Sequence, residues 1–292
     1  MTIARDEGPI THRQHPPNKP HTPHRRGGGP DLYFVSTMPK SPRAAVGILH
    51  GYADYGARYA HVMDAWAERG IGSVAIDMRG HGRAQGTRGH CGRFEEFLDD
   101  AGELARILGD RATGVPTFLM GHSFGGLVAA HSVLESARSW RGLLLSAPYF
   151  GVALEIPRLK LTVGRIASRI APKLGLPTGI QGKHLTHDLA RARAYEDDPL
   201  VFPLARARWF RESQKAQDRL LARASEMTLP LYMVFGTSDP LAKMETAKSW
   251  FDAVGSRDKT WDPRENLLHE VLNELSWRDI ADTMADWVLA RA

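Results

Sequence analysis

Short apolar runs alternate with amphipathic stretches along most of the chain. Leu32 to Thr37, Ala44 to His50, Ile71 to Ile76, Pro116 to Leu119 and Gly142 to Ala147 are runs of strand length and predict strands. Ala57 to Arg69 carries Ala60, Met63 and Ala67 at helical spacing beside Trp66, and Gly70 ends the helix this predicts. Phe94 to Leu108 sets Phe97, Ala101, Leu104 and Leu108 on one face of a second helix, and the Ala-rich run Leu127 to Leu134 reads as a third. Strands apolar on both faces, joined by helices, predict βαβ units: an α/β fold with a mainly parallel sheet and helices on both sides.

The alternation stops at Pro148 and resumes at Leu229. Between them, the pattern predicts helices but no strand, which marks an inserted helical domain. Leu231 to Gly236 is again a strand, Lys243 to Val254 a helix, Lys259 to Trp261 a last strand, and Ser276 to Ala290 a closing helix with Trp277, Ile280, Met284 and Trp287 on its core face. The chain therefore divides into a tail over 1–30, a core from 31–148 and 229–292, and a cap over 149–228. Residues 1–30 are rich in Pro, His, Arg and Gly, a composition too poor in apolar groups to fund a core, so the tail is expected to be disordered. It holds no apolar stretch of signal-peptide type and the chain holds none of membrane-spanning length, so the expected location is cytoplasmic with peripheral membrane contact.

Charge refines this picture. Lys and Arg against Asp and Glu give +3 for residues 1–30, 0 for 31–150, +6 for 151–228 and −4 for 229–292. The excess falls on the tail and the insert. Without a recognition motif or interleaved aromatics it does not indicate nucleic acid, and an anionic lipid surface is the more economical partner. The irregular tail histidines His12, His15, His21 and His24 read as composition, and no metal site is expected. Cys91 is the only cysteine, which excludes an internal disulfide.

The chemistry centres on Gly121-His122-Ser123-Phe124-Gly125, between the strand ending at Leu119 and the helix from Leu127. G-x-S-x-G alone is a weak signal, but in a strand–turn–helix setting it reads as a nucleophile elbow that presents Ser123. A serine nucleophile needs a base and a carboxylate to orient that base, both from loops at the carboxyl ends of strands. Asp239 follows the strand ending at Gly236, and His269 follows the last strand. Asp239 before Pro240 also suits a plain turn, and His269 competes with twelve other histidines. The oxyanion of an acyl-transfer transition state needs two donors. The Phe124 amide, in the first turn after the nucleophile, is one candidate, and the Tyr52 amide, in the turn His50-Gly51-Tyr52, is the other. His50, Gly51, Gly121, His122 and Gly125 are expected to shape these turns.

Several motifs together resemble the α/β-hydrolase superfamily, and within it the monoacylglycerol lipase and lysophospholipase group, also called the serine aminopeptidase S33-like hydrolases. They are His50-Gly51 with Tyr59, Asp77-x-Arg79-Gly80-His81-Gly82 with Gly86, Gly121 to Gly126, Ser146-Ala147-Pro148, Asp197 or Asp198 before Pro199-Leu200, Gly236-x-x-Asp239, and His269-Glu270-x-x-Asn273-Glu274. The resemblance implies a lid inserted between the sixth and seventh strands. The segment before Leu32 is shorter than usual for the group, which implies that a first strand is missing. Tyr52 is bulkier than the residue relatives often place there and is expected to narrow the acyl pocket.

In the insert, Leu159, Val163, Ile166, Ala167, Ile170 and Leu174 form an apolar stripe at helical spacing, flanked by Arg165, Arg169 and Lys173 on one side and Lys160 on the other. Basic stems beside an apolar face can rest on an anionic membrane. A lid packed on its own domain is the alternative, and Pro172 argues against a long helix. The expected function is cofactor-free hydrolysis of single-chain lipid esters by Ser123, with His269 as base, Asp239 orienting it, and the Tyr52 and Phe124 amides holding the oxyanion. The alternatives are a short-to-medium-chain carboxylesterase and a non-catalytic hydrolase-fold binding protein.

Overall fold

A computed structural model describes residues 3–10, 29–135, 140–153 and 166–292. Its centre is a sheet of eight strands, taken here in chain order: β1 (Ile3–Ile10), β2 (Leu32–Pro39), β3 (Ala44–Leu49), β4 (Ile71–Asp77), β5 (Thr117–His122), β6 (Gly142–Ser146), β9 (Leu231–Gly236) and β10 (Lys259–Arg264). Across the sheet the order is β1-β2-β4-β3-β5-β6-β9-β10. From β4 to β10 every pairing is parallel, while β2 runs antiparallel to both β1 and β4.

Helices cover both faces, as the doubly apolar strands require. On one face pack α2 (Glu95–Arg111), α3 (Phe124–Glu135) and α6 (Met244–Ala253), through Phe97, Leu104, Leu127 and Trp250. On the other pack α1 (Ala60–Glu68) and α7 (Trp277–Leu289), through Met63, Trp66, Ile280 and Met284. Strand residues alternate between the two cores: Ala44, Val46 and Ile48 of β3 face α1 and α7, and Ala45 and Leu49 face α2 and α3. The connection from β4 to β5 crosses back over β3, which pairs Leu49 with Gly121 and brings the carboxyl ends of β3 and β5 side by side. Ligands of open α/β sheets bind at such a crossing.

Three expectations are corrected here. Residues 3–10 of the tail are ordered, and the first strand is present: Ile3–Ile10 pairs along the whole of β2. An edge strand needs little apolar burial once its partner supplies the backbone hydrogen bonds. Ile10 is buried, Arg5 pairs with Asp64 at 3.0 Å, and Asp6 pairs with Arg111 at 2.6 Å. The insert also contains strand, since β7 (Gly175–Pro177) and β8 (Leu204–Arg206) form an antiparallel pair. Three residues with a proline among them leave no readable period. The α-helical parts of the described insert are one turn at 166–170, then α4 (Leu189–Asp197) and α5 (Ala207–Ala222), with loops and short 3-10 turns between them.

Candidate active site

Ser123 sits between β5 and α3 with φ of 49°, a left-handed conformation costly for a residue with a side chain. The surroundings enforce it. A Cβ at Gly121 would lie 2.3 Å from the Gly125 carbonyl oxygen, and one at Gly125 would lie 2.2 Å from that of Leu49, so the crossing admits glycine alone at both positions. The Ser123 carbonyl accepts from the amides of Gly126 and Tyr149, both at 2.9 Å.

Ser123 Oγ lies 2.8 Å from His269 Nε2, and His269 Nδ1 lies 2.7 Å from Asp239 Oδ2. A carboxylate only accepts, so Nδ1 carries the proton and Nε2 accepts the Ser123 hydroxyl. The other carboxylate oxygen, Asp239 Oδ1, accepts the amides of Leu241 at 2.8 Å and Ala242 at 3.1 Å. Burial opposes protonation of His269, yet its pKa lies above the usual histidine value, because the charge and hydrogen bond of Asp239 outweigh that burial, with help from Glu270 and Asp54. The flanking histidines differ. Burial pushes His122 down to about 4 and His81 down to about 3, so both are neutral near neutral pH.

The Tyr52 and Phe124 amides find no protein acceptor among the described residues. His50 explains the aim of the first. Its Nε2 accepts the Met78 amide at 2.9 Å, which leaves Nδ1–H to donate to the Gly51 carbonyl at 2.7 Å. In a planar trans peptide the N–H points opposite the C=O, so holding the Gly51 carbonyl turns the Tyr52 N–H away from His50.

The model of the family described as serine aminopeptidase, S33 matches residues 40–276. The chain belongs to this α/β-hydrolase family. A phospholipase of Bacillus subtilis, YtpA, is 30% identical over 242 residues, covering 82% of this hydrolase and 92% of that protein. A monoacylglycerol lipase of Mycolicibacterium smegmatis is 28% identical over 269 residues, covering 90% and 94%. An abhydrolase domain-containing protein of Dictyostelium discoideum is 31% identical over 255 residues, but the hydrolase spans only 27% of its length. The crystal structure of a Paleococcus ferrophilus monoacylglycerol lipase superposes with a TM-score of 0.81 at 24% identity, covering 89% of this chain and 99% of that one, and shares the fold.

The hydrolase spends the Tyr52 side chain on the insert. Its hydroxyl lies 3.0 Å from both the Gly89 and Leu204 carbonyls and accepts the Arg206 amide at 3.3 Å, while its ring stacks on Trp209 with centroids 3.6 Å apart. Tyr52 thus ties its loop to β8 and α5. Of the basic flank, Arg169 and Lys173 are exposed, whereas Lys160 and Arg165 lie outside the described residues, as do Leu159 and Val163. Within the stripe Ala167 is buried, but Ile166, Ile170 and Leu174 are 55%, 79% and 47% exposed. Cys91 is buried, and burial raises its thiol pKa, which disfavours the thiolate a nucleophile needs. Among the described residues, no group of three or more His, Cys, Asp and Glu could share a metal ion, and no helix is long and apolar enough to cross a membrane.

Sequence reasoning gave no role to Asp54, Arg58 and Glu270, which surround the two loops of the site, or to Glu274. Glu274 accepts the Leu268 amide at 3.0 Å and the His187 amide at 2.9 Å, tying the His269 loop to the insert. Glu270 and Glu274 both stand in the stretch that carried the family resemblance, but their partners are far away in the chain.

Proposed function

We propose that this hydrolase cleaves carboxylic esters of single-chain lipids, monoacylglycerols or lysophospholipids, through an acyl-enzyme on Ser123. The observation that carries the reading is the series Ser123 Oγ, His269 and Asp239, bonded at 2.8 and 2.7 Å at the carboxyl edge of the sheet. His269 Nε2 takes the serine proton as Oγ adds to the ester carbonyl, and the oxyanion accepts from the Tyr52 and Phe124 amides. One such donor is worth about 3 kcal/mol of transition-state stabilisation. His269 then protonates the leaving alcohol as the ester C–O bond breaks. Water, deprotonated by His269, attacks the acyl-serine, and collapse of the second intermediate releases the fatty acid and returns the proton to Ser123.

The substrate class draws on the relatives that bear phospholipase and monoacylglycerol lipase names, and on the exposed apolar residues of the insert. In this reading residues 149–228 are a cap over a core of 31–148 and 229–292. Hydrolysis of monoacylglycerols, lysophospholipids and p-nitrophenyl esters of matched chain lengths tests it. The expected result is a kcat/KM that rises at least tenfold from acetyl to long-chain esters. An acetate ester turned over fast with no long-chain activity would assign the protein to general carboxylesterases instead.

The cap is also proposed to dock on anionic membranes. Ile166, Ile170 and Leu174 are exposed on the segment that carries the exposed cations Arg169 and Lys173. Burying one such side chain yields about 1.5–3 kcal/mol, and a cation near an anionic surface about 1 kcal/mol. Changing Ile166, Ile170 and Leu174 to Ser is expected to lower co-sedimentation with vesicles containing phosphatidylserine at least tenfold. Wild-type binding by that variant would rule this surface out.

A further inference from the structure

Three charged side chains lie buried between the loop carrying Tyr52 and the loop carrying His269, and the mechanism above uses none of them. Arg58, in the short turn Gly56–Tyr59, donates to Glu270 through two nitrogens: Nη1 to Oε1 at 2.8 Å and Nη2 to Oε2 at 2.7 Å. Nη1 also reaches Asp54 Oδ1 at 2.9 Å. Asp54 in turn organises its own loop, with Oδ2 accepting the Gly51 amide at 3.1 Å and the Tyr59 hydroxyl at 2.9 Å, and Oδ1 accepting the Tyr55 amide at 2.8 Å. Glu270 directly follows His269, and its Oε2 also accepts the Asn273 side-chain amide at 2.7 Å. The side chains of Arg58, Asp54 and Glu270 are only 12%, 4% and 7% exposed.

Taking such groups out of water is costly, and a well-packed apolar set in their place is often as stable or more so. Stability alone therefore does not account for three of them. Their placement does, because one end grips the peptide just before the Tyr52 amide and the other end is covalently next to the base. We infer that Asp54, Arg58 and Glu270 form a positioning chain that fixes the Tyr52 amide relative to the His269 ring, and whose single net negative charge supports the imidazolium formed during turnover. The inference rests on the roles proposed above for Tyr52 and His269. The charged and titratable groups bearing on His269 are Asp239 from the loop after β9, Glu270 from its own loop, Asp54 from the Tyr52 loop and neutral His122 from the elbow, with Arg58 between the two carboxylates. The three carboxylates all favour the protonated ring.

The charges make opposite predictions for two variants. Glu270→Gln removes a negative charge beside His269, so the acid limb of kcat/KM for p-nitrophenyl butyrate moves to lower pH. Arg58→Met removes the opposing cation, so the limb moves to higher pH. Both lower kcat by roughly 10- to 100-fold with KM within about twofold, the size expected of lost positioning. Arg58→Lys keeps the charge but not the two-pronged grip, so it restores the limb and only part of kcat. Thermal unfolding and the rate of fluorophosphonate labelling of Ser123 are followed on the same preparations, and Arg58→Gln, which also removes the cation, serves if Arg58→Met does not fold. Folded variants with wild-type kcat and labelling rate, or limbs that shift in the same direction, would overturn the inference. A wild-type protein that does not label at Ser123 would instead overturn the proposed mechanism.

Discussion

Ser123→Ala is expected to lower ester hydrolysis by about 10⁵- to 10⁶-fold and to abolish fluorophosphonate labelling. In the proposed mechanism the Ser123 hydroxyl is the group that bonds to the acyl carbon, and among the described residues neither Cys91 nor His122 is set to replace it. The Cys91 thiol is buried with its pKa raised, and His122 already meets the Ser146 carbonyl and hydroxyl oxygens through Nδ1. The fold is expected to survive. Alanine and serine bear the same Cβ and suffer the same strain at a φ of 49°, so the melting temperature changes by no more than about 2 °C. Hydrolysis within tenfold of wild type by the folded alanine variant would show that the reaction proceeds through another group.

Asp239→Asn is expected to cost about 10⁴-fold in kcat, by tautomer rather than by shape. The amides of Leu241 and Ala242 both donate to Oδ1, so in the variant the carboxamide oxygen stays with them. The new NH₂ group then faces His269 Nδ1 across the 2.7 Å contact and forces that nitrogen to accept. The proton moves to Nε2, and the ring can no longer take one from Ser123. Stability carries a second signature. A histidine whose folded pKa is raised contributes stability that is complete below its unfolded pKa of about 6.5 and is lost as pH rises through the folded value. The variant loses that contribution, so its deficit in melting temperature against wild type is larger near pH 5.5 than near pH 9. A pH-independent deficit with near-normal kcat would contradict the assigned orientation.

The parts of the site that could be read from the chain are those fixed by local chemistry. Gly121 and Gly125 flank Ser123 because the crossing beside Leu49 leaves no space for Cβ atoms, and a glycine requirement is visible as a motif. Asp239 and His269 could be placed because apolar runs end before them. The strand Ile3–Ile10 was hidden for the opposite reason: it is held by backbone pairing with β2, and its mostly exposed side chains leave no apolar period. The short pair β7 and β8 was hidden by its length. Tyr52 was a candidate from the sequence for its backbone amide alone, whereas the hold of its side chain on Leu204 and Trp209 depends on the fold of the insert.

By itself the sequence determined the alternation of strands and helices in the core from Leu32 onward, the mainly parallel sheet covered on both faces, and the strand ends that Ser123, Asp239 and His269 follow. Those features follow from periodicity, turn glycines and strand ends, which act over a few residues at a time. Only the tertiary structure decided which histidine holds a raised pKa and which carboxylates share Arg58. Arg58 and Glu270 are 212 residues apart. Their pairing, and the field it places beside His269, arise only when the loops after β3 and β10 are brought to the same edge of the sheet, because charge interactions and desolvation depend on distance in space and not on distance along the chain.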